Sequence, residues 1–297
     1  MHLFFDLNPD LKSSIFLGGV GRSGTTWVSD VINARNDYRL MFEPFYPEKV
    51  PLCRPFRYRQ YLRPTDSNTT YLTVGQTILS GKIRNAWIDK YNRCLIARKR
   101  LVKDIRANLM LKWMHVHFPA IRIVVLLRHP CAVASSKLKS GWGTHLDEFL
   151  DQPELMLDYL TPFEEVIKSA ETDFEKHIVL WCVENYVPLK QFASGEAYFT
   201  LYERLCLAPE EEYKRLFEFL GLTLTSEHRA AFKRPSVMSR SVSAIVKGDS
   251  LIDAWRKDVT QDQVKRATQI VAAFGLSEIY SDASLPQTDP NVHLGTR

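Results

Sequence analysis

The stretch "GGVGRSGTTW" (Gly18–Trp27) gathers small residues and hydroxyls around one cation, Arg22. Gly21 and Gly24 let a ligand approach the backbone closely. Ser23, Thr25 and Thr26 add hydroxyl donors, and the first amides of a following helix would aim at the same point. That is the chemistry of an anion cradle. A loop built for a nucleoside triphosphate would carry a lysine directly after Gly24, and a later strand would supply an acid for magnesium. Thr25 stands in place of the lysine, and the best later strand runs into Arg128-His129-Pro130. The loop therefore suits a single 5′-phosphate-type group with Arg22 supplying the charge. An ordinary strand-to-helix turn is the competing reading.

The elements around this loop decide what can meet it. "SIFLGGV" reads as a buried strand entering a glycine turn, and "TTWVSDVINA" has helical spacing. "YRLMFEP" and "RLVKDI" read as strands, Asn108 to Phe118 as a helix, and "IRIVVLLRHP" as the clearest buried strand, followed by the helix "CAVASSKLK". Helices fill 162–193, "AYFTLY" is a fifth strand, and helices return from Pro209. Residues 45–70, rich in proline, arginine and tyrosine, and residues 139–160 read as long irregular loops. Strands alternating with helices predict a P-loop-like α/β fold, a parallel sheet with helices on both faces, in one domain over residues 1–297. Ligands of such sheets sit beyond the carboxyl ends of the strands. Arg22, Glu43, Lys103, Arg128 and Tyr202 each lie at or just past a predicted strand end.

Two segments in this order resemble a known family. "GVGRSGTTW" looks like the 5′-phosphosulfate-binding loop of sulfotransferases that use 3′-phosphoadenosine 5′-phosphosulfate (PAPS), which gives Arg22, Ser23, Gly24, Thr25, Thr26 and Trp27 a nucleotide-binding role. "VVLLRHPCAVASS" resembles the family's 3′-phosphate-binding strand and helix, where an arginine is followed eight residues later by a serine, here Arg128 and Ser136. "LYERL" followed by "LFEFLGL" is similar to the family's tyrosine-acid segment and would put Tyr202 beside the adenine. An arginine with a hydroxyl nearby is a sound site for a phosphate. His129 stands where the family usually has an acid, and it reads as a packing or capping residue. Arg128 could otherwise be a surface ion-pair residue, and Tyr202 a core residue.

The resemblance also implies a base. Some members of the superfamily use a histidine, others a glutamate, and "FEPFY" is similar to the "FEP" segment of carbohydrate sulfotransferases. Glu43 would be the general base, Lys103 would stabilise charge on the leaving oxygen much as a lysine does in the tyrosylprotein enzymes, and Arg22 would stand opposite. Glu43 could instead hold an arginine, and Lys103 could be a solvated strand-end lysine. The late segment "SVMSRSVSAIVKGDSLIDAW" would bring Ser239, Ser241 and Lys247 over the nucleotide, like the family's late basic loop. The implied reaction moves a sulfuryl group from PAPS to an acceptor hydroxyl. A carbohydrate is favoured, with a tyrosylprotein or small phenol as alternatives. A P-loop kinase and a catalytically dead nucleotide-binding module are the rival classes.

Bulk properties agree with this without demanding it. The chain has 297 residues, a formal net charge of +5 and 45% hydrophobic residues. That is ordinary for a globular protein and gives no reason to invoke nucleic acid. Five dispersed cysteines form no CxxC pair and suggest reduced thiols. His115 and His117 would point to different helix faces, so no metal is expected. No run approaches the ~20 apolar residues of a membrane span. A soluble, cytoplasmic protein is expected, or a soluble domain trimmed from an anchored enzyme.

Overall fold

The structure, a computed structural model, describes residues 4–234 and 252–293. Five parallel strands form its main sheet: β1 (Ser14–Gly19), β2 (Arg39–Phe42), β3 (Arg100–Lys103), β4 (Arg122–Leu127) and β5 (Tyr198–Leu201). Their order is β2-β3-β1-β4-β5. The chain leaves the central β1 for the edge strand β2, returns through β3, and then crosses to β4 on the other side. That reversal opens a crevice at the carboxyl end of β1, where such sheets bind ligands. Phe5–Asp6 and Ile96–Ala97, which carry no signal in the sequence, form a separate two-stranded parallel sheet.

Alternation along the strands explains the two covered faces. Ile15, Leu17, Leu40, Leu101, Val124 and Leu126 point to one side, where α1 (Thr25–Ile32), α6 (Tyr202–Leu207) and α7 (Pro209–Leu220) pack. Phe16, Met41, Val102, Ile123 and Val125 point to the other, under α2 (Thr69–Leu79), α3 (Leu111–His117), α4 (Pro130–Lys139), α5 (Asp173–Gln191) and α8 (Gln261–Ala273). A strand with both faces covered is apolar where it is buried, and after the exposed Arg122 the run "IVVLL" is.

Helical structure also appears where the sequence announced none. The excursion after Pro44 ends at α2, whose "TTYLTVGQTIL" is poor in helix formers. Packing overrides propensity here. Gly75 lies so close to the rings of Phe118 and Trp113 that a Cβ would come within 2.9 Å of Phe118. Asn68 caps the helix by accepting from the amide of Thr70 at 2.9 Å. Residues 139–160 contain short helical turns at Asp147–Leu150, Pro153–Leu155 and Met156–Leu160.

Candidate active site

The turn after β1 is shaped by close approach. Gly24 has φ 105°, and a Cβ there would lie 2.7 Å from Cδ2 of Tyr202. A Cβ on Gly21 would lie 2.8 Å from the ring of Trp142, so the 139–160 segment packs on this loop. Gly24 caps α1 without a side chain, which leaves the first-turn amides to a ligand or water. The Ser23 hydroxyl and the Trp27 indole N–H are buried with no partner among the described residues. A cradle with spare buried donors at a helix N-terminus fits the phosphate end of a nucleotide.

Arg22 turns towards α4. Its Nε donates to the Ser136 hydroxyl at 2.9 Å, and Arg128 donates to the Arg22 carbonyl at 3.3 Å. The Arg128 guanidinium also lies over the Tyr202 ring at 4.2 Å. The loop cation, the strand-end arginine and the serine eight residues beyond it therefore form one group. Tyr202 is buried, edge-on to Trp27 at 5.7 Å. It backs the loop instead of standing open beside it. His129 caps α4, accepting from the Cys131 amide, and stacks on Trp255. Burial pushes it down to about 4, so it is a neutral structural residue, as the sequence suggested.

Glu43 sits just past the end of β2 with φ 45°, and Arg22 has φ 77°. Left-handed backbone at a non-glycine residue costs about 1–3 kcal/mol and persists only where the surroundings enforce it. For Glu43 they do so through its amide, which donates to the Lys103 carbonyl at 2.7 Å. Its carboxylate accepts from Lys103 Nζ at 2.7 Å and from the Arg106 guanidinium. Burial alone would push the Glu43 carboxyl up. Lys103 and Arg106 outweigh that and hold it below the usual carboxylate range.

Arg106 escaped the sequence reading, although it stands only three residues beyond Lys103; asking what neutralises a buried strand-end glutamate would have found it. Asp104 was also missed. It is fully buried and accepts from the amides of Phe45 at 2.9 Å and Arg106 at 2.8 Å, bolting the Glu43 turn to β3. Burial, reinforced by the Glu43 charge, pushes it up to about 6.

Both excursions reach this cleft. Arg59 on the first pairs with Glu148 on the second and with Glu184 on α5. Tyr46 packs on the Arg106 guanidinium at 3.8 Å and edge-on to Trp87 at 5.6 Å. Ser241 and Lys247, with Ser239, lie outside the described residues. Among those residues no helix is long and apolar enough to cross a membrane.

Comparison with known proteins gives consistent results. A family model described as the Sulfotransferase family matches residues 14–226. Nodulation protein NoeE of Sinorhizobium fredii is 25% identical over 310 residues, spanning 94% of this chain and 68% of that protein. Sulfotransferase STF9 from Mycobacterium avium superposes with a TM-score of 0.50 at 13% identity, over 93% of this chain and 79% of its own. Mouse sulfotransferase SULT7A1, solved in complex with PAP, gives 0.48 at 14% identity, over 91% of this chain and 85% of its own. The STF9 likeness bears on the fold alone.

Proposed function

The chain belongs to the sulfotransferase family, and on that premise we propose that it transfers a sulfuryl group from PAPS to an acceptor hydroxyl, with Glu43 as general base. PAPS supplies the sulfuryl group. The turn Arg22–Trp27 holds its 5′ end, and Arg128 with Ser136 holds the 3′-phosphate, with Arg22 joined to that pair. Glu43 takes the proton from the acceptor hydroxyl as its oxygen forms the new bond to sulfur, and Lys103 stabilises the charge left on the departing oxygen. The observation that carries this reading is the Glu43–Lys103 pair at 2.7 Å, buried at the strand ends beside the phosphate loop. A base and a cation for the leaving group are there held ready together.

A carbohydrate is the favoured acceptor. Tyr46, Tyr58 and Trp87 line the approach to Glu43 and Arg106, and flat rings of this kind suit the apolar face of a sugar. The nucleotide half of the proposal is tested by calorimetric titration. PAP should bind at least ~100-fold more tightly than 5′-AMP, because two or three charge-assisted contacts to the 3′-phosphate contribute about 1.5–3 kcal/mol each. Arg128→Ala should shrink that gap and leave AMP nearly unaffected. Equal affinities in the wild type, or tight magnesium-dependent ATP binding, would remove the sulfotransferase reading.

A further inference from the structure

Glu43 has more positive charge around it than its own neutralisation requires. Lys103 and Arg106 bond to it directly, and a further cation, Lys90, stands on the same side. The segment carrying Lys90 runs along the free edge of β2, fixed where the Phe42 amide donates to the Ile88 carbonyl at 2.8 Å. The Lys90 ammonium lies 3.5 Å from the Trp87 ring centroid, 4.0 Å from that of Phe42 and 4.8 Å from that of Tyr91. Lys103 Nζ lies 4.6 Å from the same Phe42 ring and repels the Lys90 ammonium. Among the described residues Lys90 thus faces rings instead of an acid.

Its place in the sheet decides which substrate it can serve. β2 is separated from β1 by β3, and two strand spacings put it about 10 Å from the strand that leads into the phosphate loop. Lys103, on the intervening β3, is the cation that the proposed reading sets against the transferred group. Lys90, carried on the free edge of β2, stands farther from the phosphate loop than Lys103 does, on the side that the proposed reading leaves to the acceptor. Burial, with Lys103, Arg106 and Lys49 adding repulsion, holds its ammonium below the usual lysine range against the pull of Glu43. A cation kept in a net positive field gains more than an isolated one when an anion arrives.

We propose that Lys90, with the edge-to-face rings of Trp87 and Tyr46 beside it, forms an acceptor subsite for a sugar that bears a carboxylate close to the reacting hydroxyl. This rests on the sulfotransferase reading and sharpens its acceptor class to acidic sugars. The sugar packs against these rings, its carboxylate meets the Lys90 ammonium, and the hydroxyl to be sulfated is left facing Glu43.

The test is NMR-detected binding of methyl glucuronide and methyl galacturonide, with the matching neutral glycosides, to the PAP-loaded enzyme. In the wild type at least one uronide should bind about 5-fold or more tighter than its neutral counterpart. Lys90→Gln should erase that preference, Lys90→Arg should retain most of it, and PAP affinity should be the same in all three proteins. Equal binding of each pair, no binding of any glycoside, or a preference that survives Lys90→Gln overturns the subsite while leaving the nucleotide reading intact. Failure of PAP itself to bind removes the sulfotransferase reading and the subsite with it.

Discussion

Replacing Glu43 with glutamine separates what the carboxylate does for the fold from what it does for the reaction. In the wild type Glu43 is 4% exposed and its carboxylate bonds to Lys103, itself 3% exposed, and to Arg106. Glutamine keeps the shape and one carbonyl acceptor, but it removes the charge bonded to both cations and turns an N–H₂ towards one of them. Removing one partner of a buried ion pair costs about 3–5 kcal/mol, and the retained acceptor argues for the lower end. At roughly 2 °C per kcal/mol for a chain of this size, the melting temperature should fall by about 6 °C. Turnover, measured as PAP release with a working acceptor, should fall by a factor of order 10² or more, the usual weight of a general base. PAP affinity should be unchanged, because Arg22, Arg128 and Ser136 form a group of their own. The folded variant should also gain more thermal stability from bound sulfate than the wild type does, since an anion can restore the missing charge. Wild-type turnover in the variant would take Glu43 out of the chemistry. A wild-type melting temperature would show that the two cations do not depend on it.

Two further perturbations probe the frame around the site. Gly24→Ala forces a side chain onto φ 105° and against the buried Tyr202 ring at 2.7 Å; it should cost about 1–3 kcal/mol in urea unfolding and weaken PAP binding, and a variant normal in both would show that the loop does not rest on Tyr202. His129 titrates near 4 when folded against 6.5 as the free side chain, so the unfolded chain takes up its proton first as the pH falls. Its contribution to stability is therefore full above 6.5, is lost between 6.5 and about 4, and is constant below. Between pH 7 and 5 that loss is about 2 kcal/mol, offset in part by Asp104, which is pushed up to about 6 and works in the opposite direction. Urea unfolding of His129→Asn, which keeps a capping side chain, should show a flatter dependence over that interval; an unchanged slope would place the acid sensitivity elsewhere.

The parts of the molecule legible in the sequence were those with strong local signatures. All five sheet strands announce themselves as short, mainly apolar runs, because a sheet covered on both faces favours them, and the glycine turn marks the end of β1. Arg128 and Ser136 could be paired from the resemblance of "VVLLRHPCAVASS" to a known signature. What stayed hidden depends on contacts distant in sequence. α2 is helical against its own propensities because it packs on Trp113 and Phe118. Tyr202 lies at the predicted strand end, but only the third dimension shows its ring supporting Gly24 and lying under the Arg128 guanidinium. Arg106 and Asp104 belong to a three-residue turn whose meaning appears only when Glu43 arrives from another strand. Lys90 and Trp87 come from a segment with no pattern of its own, ordered by pairing to the edge of β2.

The clamp on Glu43 bears directly on its proposed role. A carboxylate bonded to both an ammonium and a guanidinium is a weak base, and each cation that turns to another anion makes it a stronger one. The two partners are not equally free to turn. Arg106 has its backbone bolted by Asp104 and its guanidinium packed on Tyr46, so its bond orients the carboxylate. Lys103 carries a single flexible chain from the end of β3, beside the strand that leads into the phosphate loop, so its charge is the one a neighbouring anion can draw away. On the proposed reading, Glu43 keeps its direction through Arg106 and gains basicity as Lys103 turns to the leaving oxygen. The cation that stabilises departure is then also the one whose departure frees the base. Two residues that the sequence offers as separate strand-end charges thereby become one coupled device.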